Sequence, residues 1–237
     1  MKEKINEKKG IAVIAAMPSE IETIRKEFPE EKTETVAGVE VYSGSIGSCN
    51  VVLMQCGIGK VSAAAGAQAL ILKYHPDFVI NTGCAGAIDG NLRIGDIVIA
   101  DSTVEWDLDL MSLGLPRGYI SSLDTVFMKT DSKLADELER NFQKKGNIMR
   151  GLVVSGDQFV DKASQRKLIT DAFPGALCAE MEGAAIGHVC MQNGVPFGIV
   201  RAMSDSTDGN SSITFAAFSE QAGKRSAEVL LNMMKTM

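Results

Sequence analysis

Histidine is nearly absent from this 237-residue chain: only His75 and His188 occur, too few for a histidine-rich metal centre. The cysteines, Cys49, Cys56, Cys84, Cys178 and Cys190, are odd in number, and each sits inside an apolar stretch. No repeated CxxC or HxxxH spacing joins them, so reduced, mostly buried thiols are expected rather than a disulfide framework or a zinc site. Nor is there a basic excess: the formal net charge is -6, with both signs mixed along the chain. A phosphate-tracking surface is therefore not expected, nor is nucleic acid as a partner. No run approaches the ~18 apolar residues of a membrane span. The apolar segment 11–17 follows a polar, lysine-rich start and is too short for a signal-peptide core with proper flanks. A cytoplasmic protein is the expectation. No Pro-, Gly- or Ser-rich linker and no internal repeat divides the sequence. It reads as a polar extension at 1–10 followed by one domain at 11–237.

What is present is ordinary globular material, 45% hydrophobic and 23% charged, without the bias of a disordered chain. Short β-branched runs alternate with helical patterns, which favours a three-layer α/β/α sandwich around a central mixed, twisted sheet. The runs begin at Ile11, Val51, Phe78, Ile97, Leu152 and Phe197. Several are continuous rather than alternating, as expected of strands buried on both faces. Helices are expected over 18–28, opened by Pro18, and over the alanine-rich 60–74. Others are expected over 131–145, with Leu134, Leu138 and Phe142 at helical spacing, over 182–192 before Asn193-Gly194, and over about 215–235.

Polar or glycine-rich clusters follow these strands directly, where ligands bind in open α/β sheets. Ala15-Ala16-Met17-Pro18-Ser19-Glu20 puts a carboxylate in a first helical turn, a position that the helix dipole alone would favour. Cys56-Gly57-Ile58-Gly59-Lys60 matches neither GxxxxGK[ST] nor GxGxxG, so it supports a tight turn near a ligand rather than a phosphate cradle. Asn81 to Ala87 is a run of small residues, suited either to a tight turn or to a flat ligand lying on the backbone. Glu180-Met181-Glu182 and Arg201-Ala202-Met203-Ser204-Asp205 add carboxylates at a helix entry and a strand end. With Glu20 they supply what cleavage of a sugar–base bond demands. Its oxocarbenium-like state needs negative charge near the sugar and a proton donor on the leaving group.

The order of these blocks resembles that of 5′-methylthioadenosine/S-adenosylhomocysteine nucleosidases, within the wider nucleoside phosphorylase superfamily. The blocks are Ala15-Ala16-Met17 with Glu20, Gly57 to Val61, Asn81 to Gly86, Arg93 to Val98, Gly151 to Phe159, Glu180-Met181-Glu182 and Val200 to Asp205. The resemblance implies that Asp205 protonates adenine at N7, with Ser204 orienting it, and that Glu20 activates the attacking water. It implies that Glu182 binds the ribose hydroxyls, with Met181 against the sugar and Glu180 nearby, and that Arg201 orients the carboxylates. Phe159 would stack on adenine while backbone groups of Val160 read its edge. Met17, Ile58 and Phe215 would form the apolar 5′ pocket, with Gly59 and Cys84 also against the substrate. Water as nucleophile requires no metal and no cofactor. The resemblance further implies a homodimer in which segment 106–118 completes the neighbouring 5′ pocket.

Three other readings compete. A purine nucleoside phosphorylase would attack with phosphate, but its hexameric members carry an arginine where this chain has Asn81, a charge an amide does not replace. Aminodeoxyfutalosine nucleosidases share nearly all the motifs and differ at the 5′ pocket. A non-catalytic nucleoside-binding protein would have little use for Glu20, Glu182 and Asp205 together. The segment Thr103 to Asp109 departs from the family's common Tyr-His pair, having Glu105 and Trp106 instead. Trp106 is expected as a semi-exposed anchor of the dimer interface, in preference to a part of the 5′ pocket. Cys84 stands where many members have serine and is read as a small packed residue, since no histidine or lysine neighbours it. His188 is read as packed or partly exposed, and Lys60 as a solvated first-turn lysine.

Overall fold

The computed structural model describes residues 8–29, 31–142, 146–206 and 211–237. Along the chain the elements are β1 (Lys9–Ala15), α1 (Pro18–Arg25), β2 (Lys32–Val36), β3 (Val39–Ile46) and β4 (Cys49–Gln55). Then come α2 (Lys60–Tyr74), β5 (Phe78–Ala87), β6 (Ile97–Glu105), β7 (Met128–Lys129), α3 (Ser132–Arg140) and β8 (Ile148–Ser155). The last are α4 (Ala163–Ala172), β9 (Ala176–Glu180), α5 (Gly183–Asn193), β10 (Phe197–Ser206) and α6 (Ser211–Thr236).

β1 shows why its apolar run is unbroken. Ala12 and Ile14 enter one core while Ile11, Val13 and Ala15 enter another on the opposite face. Alternate side chains of a strand point to opposite faces, so a strand covered on both sides needs apolar residues throughout. The first core is roofed by α2 and α5, through Ala63, Ala67 and Leu70 and through Ile186, Val189 and Cys190. The second is roofed by α1, α3 and α6, through Ile21, Leu138 and Leu230 among others. The mixed three-layer α/β arrangement is as the sequence predicts.

β1 lies parallel between β4 and β5, and β5 runs parallel to β10. β10 pairs antiparallel with β6, β6 parallel with β8, and β8 parallel with β9. β9 then returns to β5 through Gly86–Ala179 and Ala87–Cys178, closing a ring of five strands. β4, β3 and β2 form an antiparallel wing outside that ring.

Several boundaries differ from the sequence reading. β1 starts at Lys9, two residues ahead of its apolar run. α1 stops at Arg25 rather than Phe28, since Pro29 disfavours helical geometry in the residue before it. α3 is capped by the Asp131 side chain, which accepts from the Leu134 N–H at 2.9 Å, and ends at Arg140. Residues 143–145 of the expected 131–145 helix lie outside the described residues. α5 ends as expected at Gly194, whose φ of 66° is left-handed.

Trp106 corrects the expectation of a semi-exposed anchor. It is 1% exposed within its own chain and packs in a third cluster with Val104, Val154, Val160, Ile169 and Phe173. α4, which the sequence reading did not find, supplies Ile169 to that cluster.

Candidate active site

One cavity of about 240 Å³ opens where the chain leaves β1, β4, β8, β9 and β10, with β5 as its floor. Met17, Glu20, Ile58, Cys84, Phe159, Val160, Glu180, Met181, Glu182, Arg201, Ser204, Asp205 and Phe215 all line it. Thus all but one of the residues named from the sequence meet here, from positions nearly two hundred residues apart. The exception is Gly59, whose contribution is its backbone N–H, donated to Glu182 Oε1 at 3.0 Å. Ala16, Ala85, Gly86, Gln158 and Ala179 complete the wall.

Glu20 occupies the first turn of α1 and is 1% exposed. Its Oε2 accepts the N–H groups of Ala16 and Met17, both at 2.9 Å, which satisfies donors at the helix start. Its Oε1 accepts the N–H of Cys84 at 3.0 Å. A carboxylate offers about four lone-pair directions. Three are taken by the backbone, which fixes the group and leaves one on Oε1 for a ligand.

Glu180 ends β9 and has its oxygens engaged by the protein. It accepts from the Glu182 N–H at 3.0 Å, from the Gly183 N–H, from Ser155 Oγ and from Arg201 Nη2. It therefore works as a brace for the start of α5 rather than as a ligand for hydroxyls. Glu182 is differently placed. It holds the Gly59 N–H, and its Oε2 stands 3.4 Å from Arg201 Nη2. Its carboxyl is pushed up to about 7 overall: burial raises it most, Arg201 pulls it down, Glu180 pushes it up, and the Gly59 N–H and Glu20 add smaller effects of opposite sign.

Arg201 is the only cation touching these groups among the described residues, and it is 1% exposed. It donates to the carbonyl of Cys84 at 3.2 Å, to Asn81 Oδ1 and to Glu180. Burial works against its charge, but Glu180, Glu182 and Glu20 more than offset this and hold it protonated. Gly83 makes room for the pair: a Cβ there would lie 2.5 Å from Glu20 Oε1 and closer still to Arg201 Nη1.

Ser204 and Asp205 are consecutive yet both reach the cavity. In a regular strand they would face opposite sides. The register against β5 shifts between Met203 and Asp205, a bulge that re-aims the chain. Ser204 Oγ then donates to Asp205 Oδ1 at 2.7 Å. Phe159 and Phe215 meet edge to face, ring centres 5.3 Å apart, at the outer wall. Cys84 is buried, and burial, then Glu20, push its thiol well above its usual range, so it is packed material and not a nucleophile.

Sequence reasoning missed Ser155, which links Glu180 to the Ala184 N–H at 2.7 Å. Its place at the end of a β-branched run was the available signal. Lys60 is not solvated: its Nζ lies 3.0 Å from Glu105 and 2.7 Å from Asp107, with its side chain 17% exposed. His188 is partly exposed as expected and pairs with Glu105 at 3.0 Å.

Comparison with known proteins agrees with this geometry. Residues 10–235 match the family model of the phosphorylase superfamily. A 5′-methylthioadenosine/S-adenosylhomocysteine nucleosidase of Haemophilus influenzae (strain PittEE) is 41% identical over 226 residues, 94% of this chain and 98% of that protein. The crystal structure of such a nucleosidase from Neisseria meningitidis, in complex with methylthio-immucillin-A, is 34% identical. It superposes with a TM-score of 0.93, covering 97% of this chain and all of the other. A futalosine hydrolase of Helicobacter pylori strain 26695 is 28% identical, with a TM-score of 0.92 over 97% of this chain and 99% of its own. The chain belongs to the phosphorylase superfamily and, within it, to the 5′-methylthioadenosine/S-adenosylhomocysteine nucleosidases.

Proposed function

We propose that the protein hydrolyses the N-glycosidic bond of 5′-methylthioadenosine and S-adenosylhomocysteine. The products are adenine with 5-methylthioribose or S-ribosylhomocysteine. The observation that carries this reading is the convergence of Glu20, Glu182 and Asp205 on one cavity with an aromatic outer wall. Asp205 delivers a proton to adenine N7 as the C1′–N9 bond breaks, with Ser204 fixing its carboxyl. The bond electrons leave with the base, and the ribosyl centre becomes cationic. Glu182, as its anion, holds the ribose hydroxyls and stabilises that cation. Water held at the open lone pair of Glu20 Oε1 attacks C1′ and gives its proton to Glu20.

Asn81 bears on the choice of water over phosphate. Its amide donates to the Ile14 carbonyl at 3.0 Å while its oxygen accepts from Arg201. An arginine there would have donors only and would set two guanidinium groups against each other. Adenine release from methylthioadenosine is therefore expected in phosphate-free buffer, unchanged when phosphate is added. Release that depends on phosphate, with a sugar 1-phosphate as product, would make the enzyme a phosphorylase.

Aminodeoxyfutalosine is the second substrate reading. The similarity to a futalosine hydrolase favours it, as does a 5′ wall built from Met17, Phe215 and the 60% exposed Ile58. Such a wall leaves space for a bulkier 5′ group, and competing the two nucleosides in one assay ranks them. Exposed apolar side chains support a homodimer: Val61, Met111 and Leu113 are 80%, 58% and 73% exposed, and apolar surface gathered at one place is the usual mark of a subunit contact. Trp106 would serve that contact from beneath, by holding segment 106–118. Sedimentation equilibrium tests this, and a monomer at micromolar concentration would refute it. The five thiols without a disulfide suit a reducing cytoplasm.

A further inference from the structure

The turn that opens α2 carries no side-chain cap of its own at Gly59, so its first N–H groups need acceptors from elsewhere. Two carboxylates from distant parts of the chain supply them. Glu182 takes the Gly59 N–H, and Asp157 Oδ1 takes the Lys60 N–H at 2.8 Å. Asp157 is held in turn, its backbone N–H donating to Asp107 Oδ2 at 2.8 Å. Asp107 Oδ1 receives Lys60 Nζ at 2.7 Å. The three bonds close a ring, Lys60 to Asp157 to Asp107 and back to Lys60, joining the start of α2, the end of β6 and the loop after β8.

None of the three ring members lines the cavity. Each of their loops, however, leads into it or supports it. Asp157 directly precedes Gln158, Phe159 and Val160 of the outer wall, and Lys60 directly follows Ile58 and Gly59. We propose that Asp157 and Asp107 are positioning residues, whose ring with Lys60 sets the Gly59 N–H against Glu182 and registers the base-side loop on the sugar-side carboxylate. This rests on the reading of Glu182 as the sugar-binding anion.

Charge and position have opposite signs here, which makes the idea testable. Glu182 faces Arg201 from β10, Glu180 from β9, Glu20 from α1 and the Cys56 thiol after β4, besides the Gly59 N–H. The Gly59 N–H favours the anion, so loosening it pushes the Glu182 carboxyl upward from about 7. Removing a nearby negative charge alone would pull it downward.

The experiment is the pH profile of kcat/KM for methylthioadenosine with wild type, Asp157→Ala, Asp157→Asn and Asp107→Ala. Wild type loses activity as pH falls through the range where Glu182 protonates. In Asp157→Ala and Asp107→Ala that limb should move to higher pH, with kcat/KM about tenfold lower at its plateau. Asp157→Asn keeps an acceptor for the Lys60 N–H and should recover most of the loss. Limbs that stay put or move to lower pH overturn the proposal, and so does an Asp157→Asn protein as impaired as Asp157→Ala. Asp107→Ala keeps the test available if Asp157→Ala does not fold. Failure of the nucleosidase reading is separate, because it shows in wild type as no phosphate-independent adenine release.

Discussion

Replacing Asp205 with asparagine is expected to lower kcat for adenine release by roughly 10²–10⁴-fold, the usual range for removing a positioned general acid. The substitution keeps size and shape, and the amide oxygen still accepts from Ser204 Oγ, now at 2.7 Å from Asp205 Oδ1. What disappears is the exchangeable acidic proton. Adenine is a poor leaving group as an anion, so without N7 protonation the ribosyl centre must develop its charge against a base that also becomes charged. Melting temperature and affinity for adenine should stay close to wild type, because the bulge that aims the residue belongs to the backbone. Turnover assays, thermal unfolding and adenine titration check the three parts. An Asp205→Asn enzyme with full turnover would falsify the acid assignment. One that neither turns over nor binds adenine would move Asp205 from proton transfer to simple recognition.

How much of this was legible depends on how far each feature reaches along the chain. β1, β5 and β10 could be read because both faces are buried, so each leaves a continuous apolar run. β2 could not: in Lys-Thr-Glu-Thr-Val only Val36 is buried, since the strand forms the edge of the wing. Its hairpin partner β3 turns at Ala37-Gly38, both with positive φ, and alanine there is not a residue that announces such a turn. α4 was missed because only Ile169 is buried, too little to print a helical period. Glu20, Glu182 and Asp205 were legible as carboxylates at two helix entries and a strand end, and the family resemblance sorted their roles. The partners of Lys60 were not, because Glu105, Asp107 and Asp157 lie 45, 47 and 97 residues away. Trp106 was misjudged for the same reason: part of its cover is Ile169 of α4, a helix the sequence barely marks.

Arg201→Met should be the most destabilising single change at the site. The guanidinium is buried against Glu180 and Glu182 and also holds Asn81 and the Cys84 carbonyl. Removing one partner of a buried ion pair costs about 3–5 kcal/mol, because the remaining charge is left uncompensated. For a chain of this size that is a fall in melting temperature of roughly 10 °C. The deficit should depend on pH, and the sign follows from linkage. Glu182 already has a folded value near 7, above its ordinary 4.5. A carboxyl raised in this way stabilises the fold fully below its unfolded pKa and loses that contribution as pH rises through its folded one. Without Arg201, the chief opponent of burial at Glu182 is gone and only the Gly59 N–H still pulls that carboxyl down, so it rises further. The variant should therefore close part of its gap to wild type between pH 8 and pH 5, although its adenine release is lost throughout. Thermal unfolding of both proteins across that range decides it, and a deficit below about 1 kcal/mol or flat with pH would remove Arg201 from its role as counter-ion. Arg201→Lys separates charge from shape: an ammonium restores the cation but cannot span Asn81, Glu180 and the Cys84 carbonyl at once. Much of the stability should return with it and little of the turnover, because the carboxylates need the guanidinium's geometry to face the sugar.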